Sequence, residues 1–279
     1  MRDEALHGGV AATDPPPTSA PMMPMGRRAM VKGLAGVSFA AILADPVLAR
    51  AAAEETDEVS LTLPSGRTVS AALALPETLP APTVMLIHEW WGLNDQIKAA
   101  AREYAQAGYV ALAIDLMGGA VASTPDAARA QMQAVDAAEA TETCAAWMDW
   151  LRSHEAGTGR LGTVGWCFGG AWSLNASVAA PVDATVIYYG RLIQEAEPLK
   201  ALQGPVLGHF ATQDGFIDQA MVKGFQAAMA EAGKADSLTL HWYEADHAFA
   251  NPSGSRYDED DARLAWERTM AFFDAHLKG

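Results

Sequence analysis

A cysteine lies between glycines in the run Gly165-Trp166-Cys167-Phe168-Gly169. The pattern is that of a nucleophile elbow, G-x-Nuc-x-G, with cysteine in place of serine. Such an elbow is a sharp turn from a strand into a helix, and its glycines remove Cβ atoms that would clash there. The positive end of the following helix favours a thiolate. Cys167 is therefore the candidate nucleophile, and the alternative is a tight strand–helix turn that buries a cysteine.

An acid and a histidine follow Cys167 in the chain order that an elbow-type site requires. Asp214 follows the apolar run 205–210, and His247 follows the run 237–243. An imidazole can take up and return the proton of a nucleophile, and a carboxylate can hold that imidazole in one orientation and tautomer. The three residues are therefore predicted to form a catalytic triad.

Two neighbouring acids are rivals of Asp214 for the contact with His247. Asp218 stands where a helix begins and is expected to be its N-cap. Asp246 precedes His247 directly and lies too near to it in the chain to orient the ring. Asp214 is therefore preferred.

The loop 88–94 follows another apolar run and carries the second group of candidate residues. We expect its Trp90 backbone N–H to form an oxyanion hole together with the N–H of Phe168. Trp91 is a candidate substrate contact. Glu89 stands beside two tryptophans, so we expect partial desolvation to raise the pKa of its carboxyl group. The alternative for Glu89 is a surface carboxylate beside packing aromatic rings.

The elements that must position these residues alternate between short apolar runs and helical patterns. The predicted strands are 59–63, 68–74, 83–88, 109–114, 161–165, 185–189, 205–210 and 237–243. The predicted helices are 95–107, 125–151 with a break near Asp136, 168–180, 218–232 and 258–277. This alternation predicts an α/β domain whose mostly parallel sheet is covered by helices on both faces. In such sheets, sites lie beyond the carboxyl ends of the strands.

The first 53 residues differ from the rest in composition. Arg27-Arg28 precede the apolar run 33–48, and small residues follow in 49–53. These features are typical of a cleavable twin-arginine export signal, and the run is too short and too weakly apolar for a stable membrane anchor. We therefore expect residues 1–53 to direct export to the periplasm and residues 54–279 to form one mature domain. The alternative is a mis-assigned start codon and a cytoplasmic protein.

Composition excludes several classes of protein. The 279 residues include 19 Lys and Arg against 34 Asp and Glu, for a formal net charge of −15. A phosphate-backbone binder needs a basic face, so the charge argues against nucleic acid as a partner. The two cysteines cannot build a disulfide framework or a four-thiolate zinc site. The histidines show no ligand spacing, so neither a metal nor another cofactor is expected.

Taken together, four segments resemble the dienelactone hydrolase family of the α/β-hydrolase fold. They are His88-Glu89-Trp90-Trp91-Gly92, Asp115-Leu116-Met117-Gly118-Gly119, Gly165-Trp166-Cys167-Phe168-Gly169-Gly170 and His247-Ala248-Phe249-Ala250-Asn251. The resemblance extends over nearly all of residues 59–277. It implies that Cys167 is the nucleophile, His247 the base and Asp214 its orienting acid. It also implies that Glu89 contacts the resting thiol and takes part in its activation when substrate binds.

The sequence departs from the family where the substrate carboxylate would bind. The resemblance implies an arginine a few residues after His247, but Asn251 stands there. Arg129 is only a loose counterpart of a second family arginine, and Arg256 is a substitute from the loop after His247. We therefore expect a small-molecule lactone or ester as substrate, without assigning dienelactone itself. The alternatives are a non-catalytic exported binding protein on a hydrolase scaffold, a general carboxylesterase, and a thiol hydrolase of other substrates such as peptides.

Overall fold

The computed structural model describes residues 39–279, in which helices surround one eight-stranded sheet. The strands are β1 (Asp57–Thr62), β2 (Thr68–Ala74), β3 (Ala81–Ile87), β4 (Val110–Ile114), β5 (Gly157–Trp166), β6 (Ala184–Tyr188), β7 (Val206–Ala211) and β8 (Leu238–Tyr243). The helices are α1 (Phe39–Ala44), α2 (Pro46–Ala53), α3 (Asp95–Gln106), α4 (Pro125–Ala134), α5 (Ala137–Ser153), α6 (Phe168–Ala179), α7 (Ala196–Leu199), α8 (Gln219–Glu231) and α9 (Glu259–Leu277).

The sheet is mostly parallel, and its spatial order is β1-β2-β4-β3-β5-β6-β7-β8. Strand β2 runs antiparallel to both β1 and β4. All neighbouring pairs in the rest of the sheet, which has the order β4-β3-β5-β6-β7-β8, are parallel. The predicted α/β class is therefore confirmed, and β1 and β2, which follow each other in the chain, form an antiparallel hairpin. Because the six strands β3 to β8 are parallel, their carboxyl ends share one edge of the sheet, and the loops that follow them can form one site.

Helices cover both faces of the sheet, as the continuous apolar runs predict. All seven residues of β3 are buried. Val84 and Leu86 pack with Phe273 of α9 on one face, and Met85 packs with Trp147 of α5 on the other. A strand whose successive side chains enter two separate cores is held between two helical layers, which fixes the position of the loop that follows it.

Most predicted boundaries agree with the structure to within one or two residues. The predicted break in the helical run 125–151 is confirmed, because Asp136 accepts a hydrogen bond from the Glu139 N–H (2.9 Å) and is the N-cap of α5. Two predictions were incomplete. Strand β5 begins at Gly157 rather than 161, because Gly157 already pairs with Ala81 of β3. The short helix α7 has too few residues to show a periodic pattern.

The end of the predicted export signal is helical and packs on the domain. Ile42, Leu43 and Ala52 form a buried cluster with Ala99 of α3. Asp45 accepts a hydrogen bond from the Val47 N–H (2.8 Å) and caps α2. Residues 1–38 of the predicted signal lie outside the described residues. Among residues 39–279, no helix combines the length and the apolar character needed to cross a membrane.

Candidate active site

Cys167 lies in the turn between β5 and α6, where the sequence predicts a nucleophile elbow. Its backbone has φ 53° and ψ −111°, a conformation that costs a non-glycine residue about 1–3 kcal/mol. The flanking glycines permit this turn by close packing, since a Cβ at Gly165 would overlap the backbone of Gly169, and a Cβ at Gly169 would overlap the carbonyl of Ile87. The turn therefore holds the sulfur at the carboxyl edge of the sheet.

His247 and Asp214 meet Cys167 at this edge. His247 Nε2 lies 3.2 Å from Cys167 Sγ, and its Nδ1 donates a hydrogen bond to Asp214 Oδ2 (2.7 Å). Burial acts to raise the pKa of Asp214, but the hydrogen bonds from His247 and from the backbone N–H groups of Ile217 and Phe216 hold that pKa below its usual value. An ionised Asp214 keeps the proton on Nδ1, so Nε2 is free to accept a proton from the thiol.

The resting sulfur is a neutral thiol. Burial raises the pKa of Cys167 to about 12, and the negative charges of Glu89 and Asp214 act in the same direction. The backbone N–H of Phe168, the first residue of α6, and the charge of Arg256 lower the pKa. The start of α6 thus lowers the pKa of Cys167, as predicted, but burial raises it by more. The burial of the sulfur or the charges around it must therefore change before a thiolate forms.

Glu89 is buried beside the triad rather than exposed, so the surface interpretation of this residue is wrong. Burial raises the pKa of Glu89, as predicted, although a hydrogen bond from Asn251 and the charges of His247 and Arg256 act against the shift. Asn251 Nδ2 donates to Glu89 Oε2 at 2.5 Å. A neutral amide therefore occupies the position where the family resemblance implies an arginine.

The two predicted oxyanion-hole residues lie in different segments, Phe168 in the elbow itself and Trp90 in the loop after β3. Phe168 begins α6, so its backbone N–H has no acceptor within the helix, and it hydrogen-bonds toward Cys167. The carbonyl of Trp90 accepts a hydrogen bond from Gln131 Nε2 of α4 (2.6 Å), which holds the peptide unit that follows Trp90. The oxyanion role of the Trp90 N–H stays a prediction.

His88 is a positioning residue that the sequence did not reveal. Its Nδ1 donates to the carbonyl of Glu89 (2.6 Å), and its Nε2 accepts from the Leu116 N–H (3.1 Å). Burial lowers the pKa of His88, which keeps the ring neutral and able to make both bonds. The ring also stacks on Phe168, with centroids 5.8 Å apart. His88 thus fixes the loop that carries Glu89 against both the elbow and the loop after β4.

The four predicted substrate contacts have different surroundings. Trp91 packs edge-on against Trp90 with ring centroids 5.1 Å apart. Asn251 contacts the carboxyl group of Glu89. Arg256 is exposed, but its charge reaches both the carboxyl group and the sulfur. Arg129 is exposed on α4, and a glutamine of the same helix contacts the loop after β3 instead. Contact of any of these residues with substrate stays a prediction.

Known proteins share both the sequence pattern and the architecture. The model of the dienelactone hydrolase family matches residues 69–277. The carboxymethylenebutenolidase of Pseudomonas putida is 30% identical over 232 residues, which cover 78% of this chain and 95% of that protein. Carboxymethylenebutenolidase 1 of Cupriavidus pinatubonensis is 25% identical and covers 77% and 95%. The crystal structure of a dienelactone hydrolase-like promiscuous phosphotriesterase from metagenomic libraries superposes with a TM-score of 0.72 at 24% identity, covering 80% of this chain and 99% of that one.

Proposed function

Because the chain belongs to the dienelactone hydrolase family, we propose that it hydrolyses lactones or small carboxylic esters with Cys167 as the nucleophile. The observation that carries the proposal is the 3.2 Å contact between His247 Nε2 and Cys167 Sγ. The strained turn presents the sulfur, and Asp214 holds the imidazole that faces it. This arrangement supplies a nucleophile, a base and an orienting acid, as acyl transfer through a covalent intermediate requires.

The reaction proceeds in two halves. The thiol proton passes to His247 as the sulfur attacks the carbonyl carbon, and the carbonyl oxygen becomes an oxyanion. The N–H groups of Phe168 and Trp90 stabilise that oxyanion, each contributing about 3 kcal/mol. His247 then returns the proton to the leaving oxygen as the C–O bond breaks, leaving a thioester. Water, deprotonated by His247, hydrolyses the thioester and restores the thiol. With a lactone, the leaving oxygen remains tethered to the acyl group.

Glu89 is proposed to control when the thiolate forms. In the free enzyme, its negative charge adds to the burial that keeps the Cys167 thiol protonated. Its own pKa is raised by burial, so it is a better proton acceptor than an exposed glutamate. A substrate that displaces the Glu89–Asn251 contact would free this carboxylate to assist the transfer of the thiol proton to His247. A sulfur kept protonated until then resists oxidation.

Substitution of Glu89 by glutamine is expected to separate the effect of Glu89 on the pKa of the Cys167 thiol from its contribution to turnover. Removing the carboxylate removes a negative charge that raises the pKa of Cys167, so the pH profile of iodoacetamide alkylation in the free enzyme should move to lower pH. The kcat/KM for p-nitrophenyl acetate should nevertheless fall on the order of 10²-fold, the size of a general-base contribution. Glu77→Gln, an exposed change in the loop between β2 and β3, is the control. Unchanged turnover with a lowered melting temperature would instead support a packing role for Glu89.

A panel of p-nitrophenyl acetate, aliphatic lactones, thioesters and peptides tests the proposed reaction. We expect turnover of esters and lactones, and an acyl group on the peptide containing Cys167 when the reaction is quenched and measured by mass spectrometry. Cleavage confined to peptides would favour the peptidase alternative. Absence of both turnover and substrate-protected alkylation would favour a binding protein.

We also propose that residues 1–53 direct export through the twin-arginine route to the periplasm. The proposal is supported by Arg27-Arg28, the apolar run and the small residues that follow it. Replacing both arginines by lysine should leave the protein in the cytoplasm on cell fractionation, whereas Arg50→Lys should not. Equal periplasmic amounts of the double variant and the wild type would contradict the proposal. The intact mass of the exported protein gives the cleavage point, and cleavage after Ala53 would remove α1 and α2.

A further inference from the structure

A cavity of about 210 Å³ lies beside the candidate active site. Glu89, Tyr189 and Asn251 are among its lining residues, and the first two are close enough to Cys167 to interact with it electrostatically. The rest of the wall is mostly apolar and includes Leu43, Ile97, Ala100, Trp166, Ala250 and Trp266. The mechanism proposed above leaves this space unused, although it adjoins the carboxyl group that controls the thiol.

The lining favours a neutral apolar occupant. An engineered apolar cavity of about 150 Å³ in another protein binds benzene, so this one has room for a ring or a chain of several carbons. Arg263 on the wall is already paired with Glu267 (2.7 Å) and Asp260 (3.6 Å). An anionic group would be desolvated in the cavity and would meet the carboxyl group of Glu89 on its wall.

Helix α1 completes the wall and is tied to the active-site loop. The carbonyl of Leu43 accepts a hydrogen bond from Gln96 Nε2 (2.8 Å), and Gln96 Oε1 accepts one from Ser253 Oγ (3.1 Å). Ser253 also hydrogen-bonds to Asn251, the partner of Glu89. Gln96 of α3 therefore links α1 to the loop that follows His247.

We propose that this cavity binds the apolar substituent of a neutral ester, and that α1 closes it in the full chain, before any removal of residues 1–53. The proposal rests on the proposed ester hydrolysis at Cys167 and adds its substrate class. The substituent belongs either to the acyl part of the ester or to its alcohol part, and the two arms of the experiment distinguish these sources.

The test fills the cavity from two walls. Leu43→Trp and Ile97→Trp add a large ring from α1 and α3, and Val47→Trp, at a position of α2 that is 75% exposed, is the matched control. All variants are purified as the full chain and checked by intact mass. One arm compares p-nitrophenyl hexanoate with the acetate, and the other compares hexyl acetate with methyl acetate.

In the arm whose substituent enters the cavity, we divide kcat/KM for the long ester by kcat/KM for the short ester. This ratio should fall about tenfold or more in both Leu43→Trp and Ile97→Trp, as expected for lost contacts in an apolar pocket. Hydrolysis of the short esters and the behaviour of Val47→Trp should match the wild type. If Leu43→Trp detaches α1 and lowers the melting temperature, Ile97→Trp decides. Unchanged ratios in both arms with short-ester turnover retained overturn the cavity proposal alone. Absence of short-ester turnover in the wild type overturns the proposed function and the cavity proposal with it.

Discussion

Cys167→Ala is expected to lower kcat/KM for p-nitrophenyl acetate on the order of 10⁴-fold or more, the scale of removing a catalytic nucleophile. No other nucleophile of the proposed mechanism can form the thioester, and the remaining N–H groups stabilise an oxyanion only after an attack has occurred. The change removes one sulfur atom and retains the Cβ, so the melting temperature should stay close to that of the wild type. Steady-state assays on esters and lactones and thermal denaturation measure the two quantities.

The second cysteine supplies the control. Cys144 is buried in α5, and burial raises the pKa of its thiol to about 12 as well. Cys144→Ala leaves a small cavity and is expected to cost about 1 kcal/mol of stability, while kcat/KM should remain within about twofold of the wild type, as for a site remote from the chemistry. Undiminished turnover by Cys167→Ala would remove the nucleophile assignment.

Asp214→Asn is expected to lower kcat on the order of 10⁴-fold, as the equivalent change does in serine-protease triads. The carboxylate accepts the Nδ1 proton of His247 at 2.7 Å. An asparagine can still accept the backbone N–H bonds of Phe216 and Ile217, but its amide would donate to Nδ1. The proton of the ring would then sit on Nε2, which could no longer take the proton of Cys167.

Asp246→Asn is the matched control for that change. Asp246 precedes the histidine and accepts its backbone N–H at 2.6 Å, whereas the ring bonds to Asp214. Asn at 246 retains an oxygen acceptor, so kcat should stay within about threefold of the wild type, a loss well under 1 kcal/mol. Equal losses in the two variants would show that the ring is oriented in some other way.

The candidate site was largely predictable because each of its residues follows a strand. Apolar runs and glycines are local signals, and they located the turn at Cys167 and the loops of Asp214 and His247. Parallel strands then bring those loops to one edge of the sheet whatever the intervening sequence is. His88 escaped this reasoning because its role consists of two hydrogen bonds, one of them to Leu116 on a different loop.

The sequence by itself determined the α/β class, the order of the elements and the three residues that meet at the elbow, since periodicity, turn residues and chain order suffice for these. Only the tertiary structure decided that Cys167 rests as a thiol, that Asn251 holds Glu89, and that α1 walls a cavity beside them. Each of these depends on how deeply a group is buried and on which charges and amides surround it. Those surroundings come from segments far apart in the chain, so no local sequence pattern can predict them.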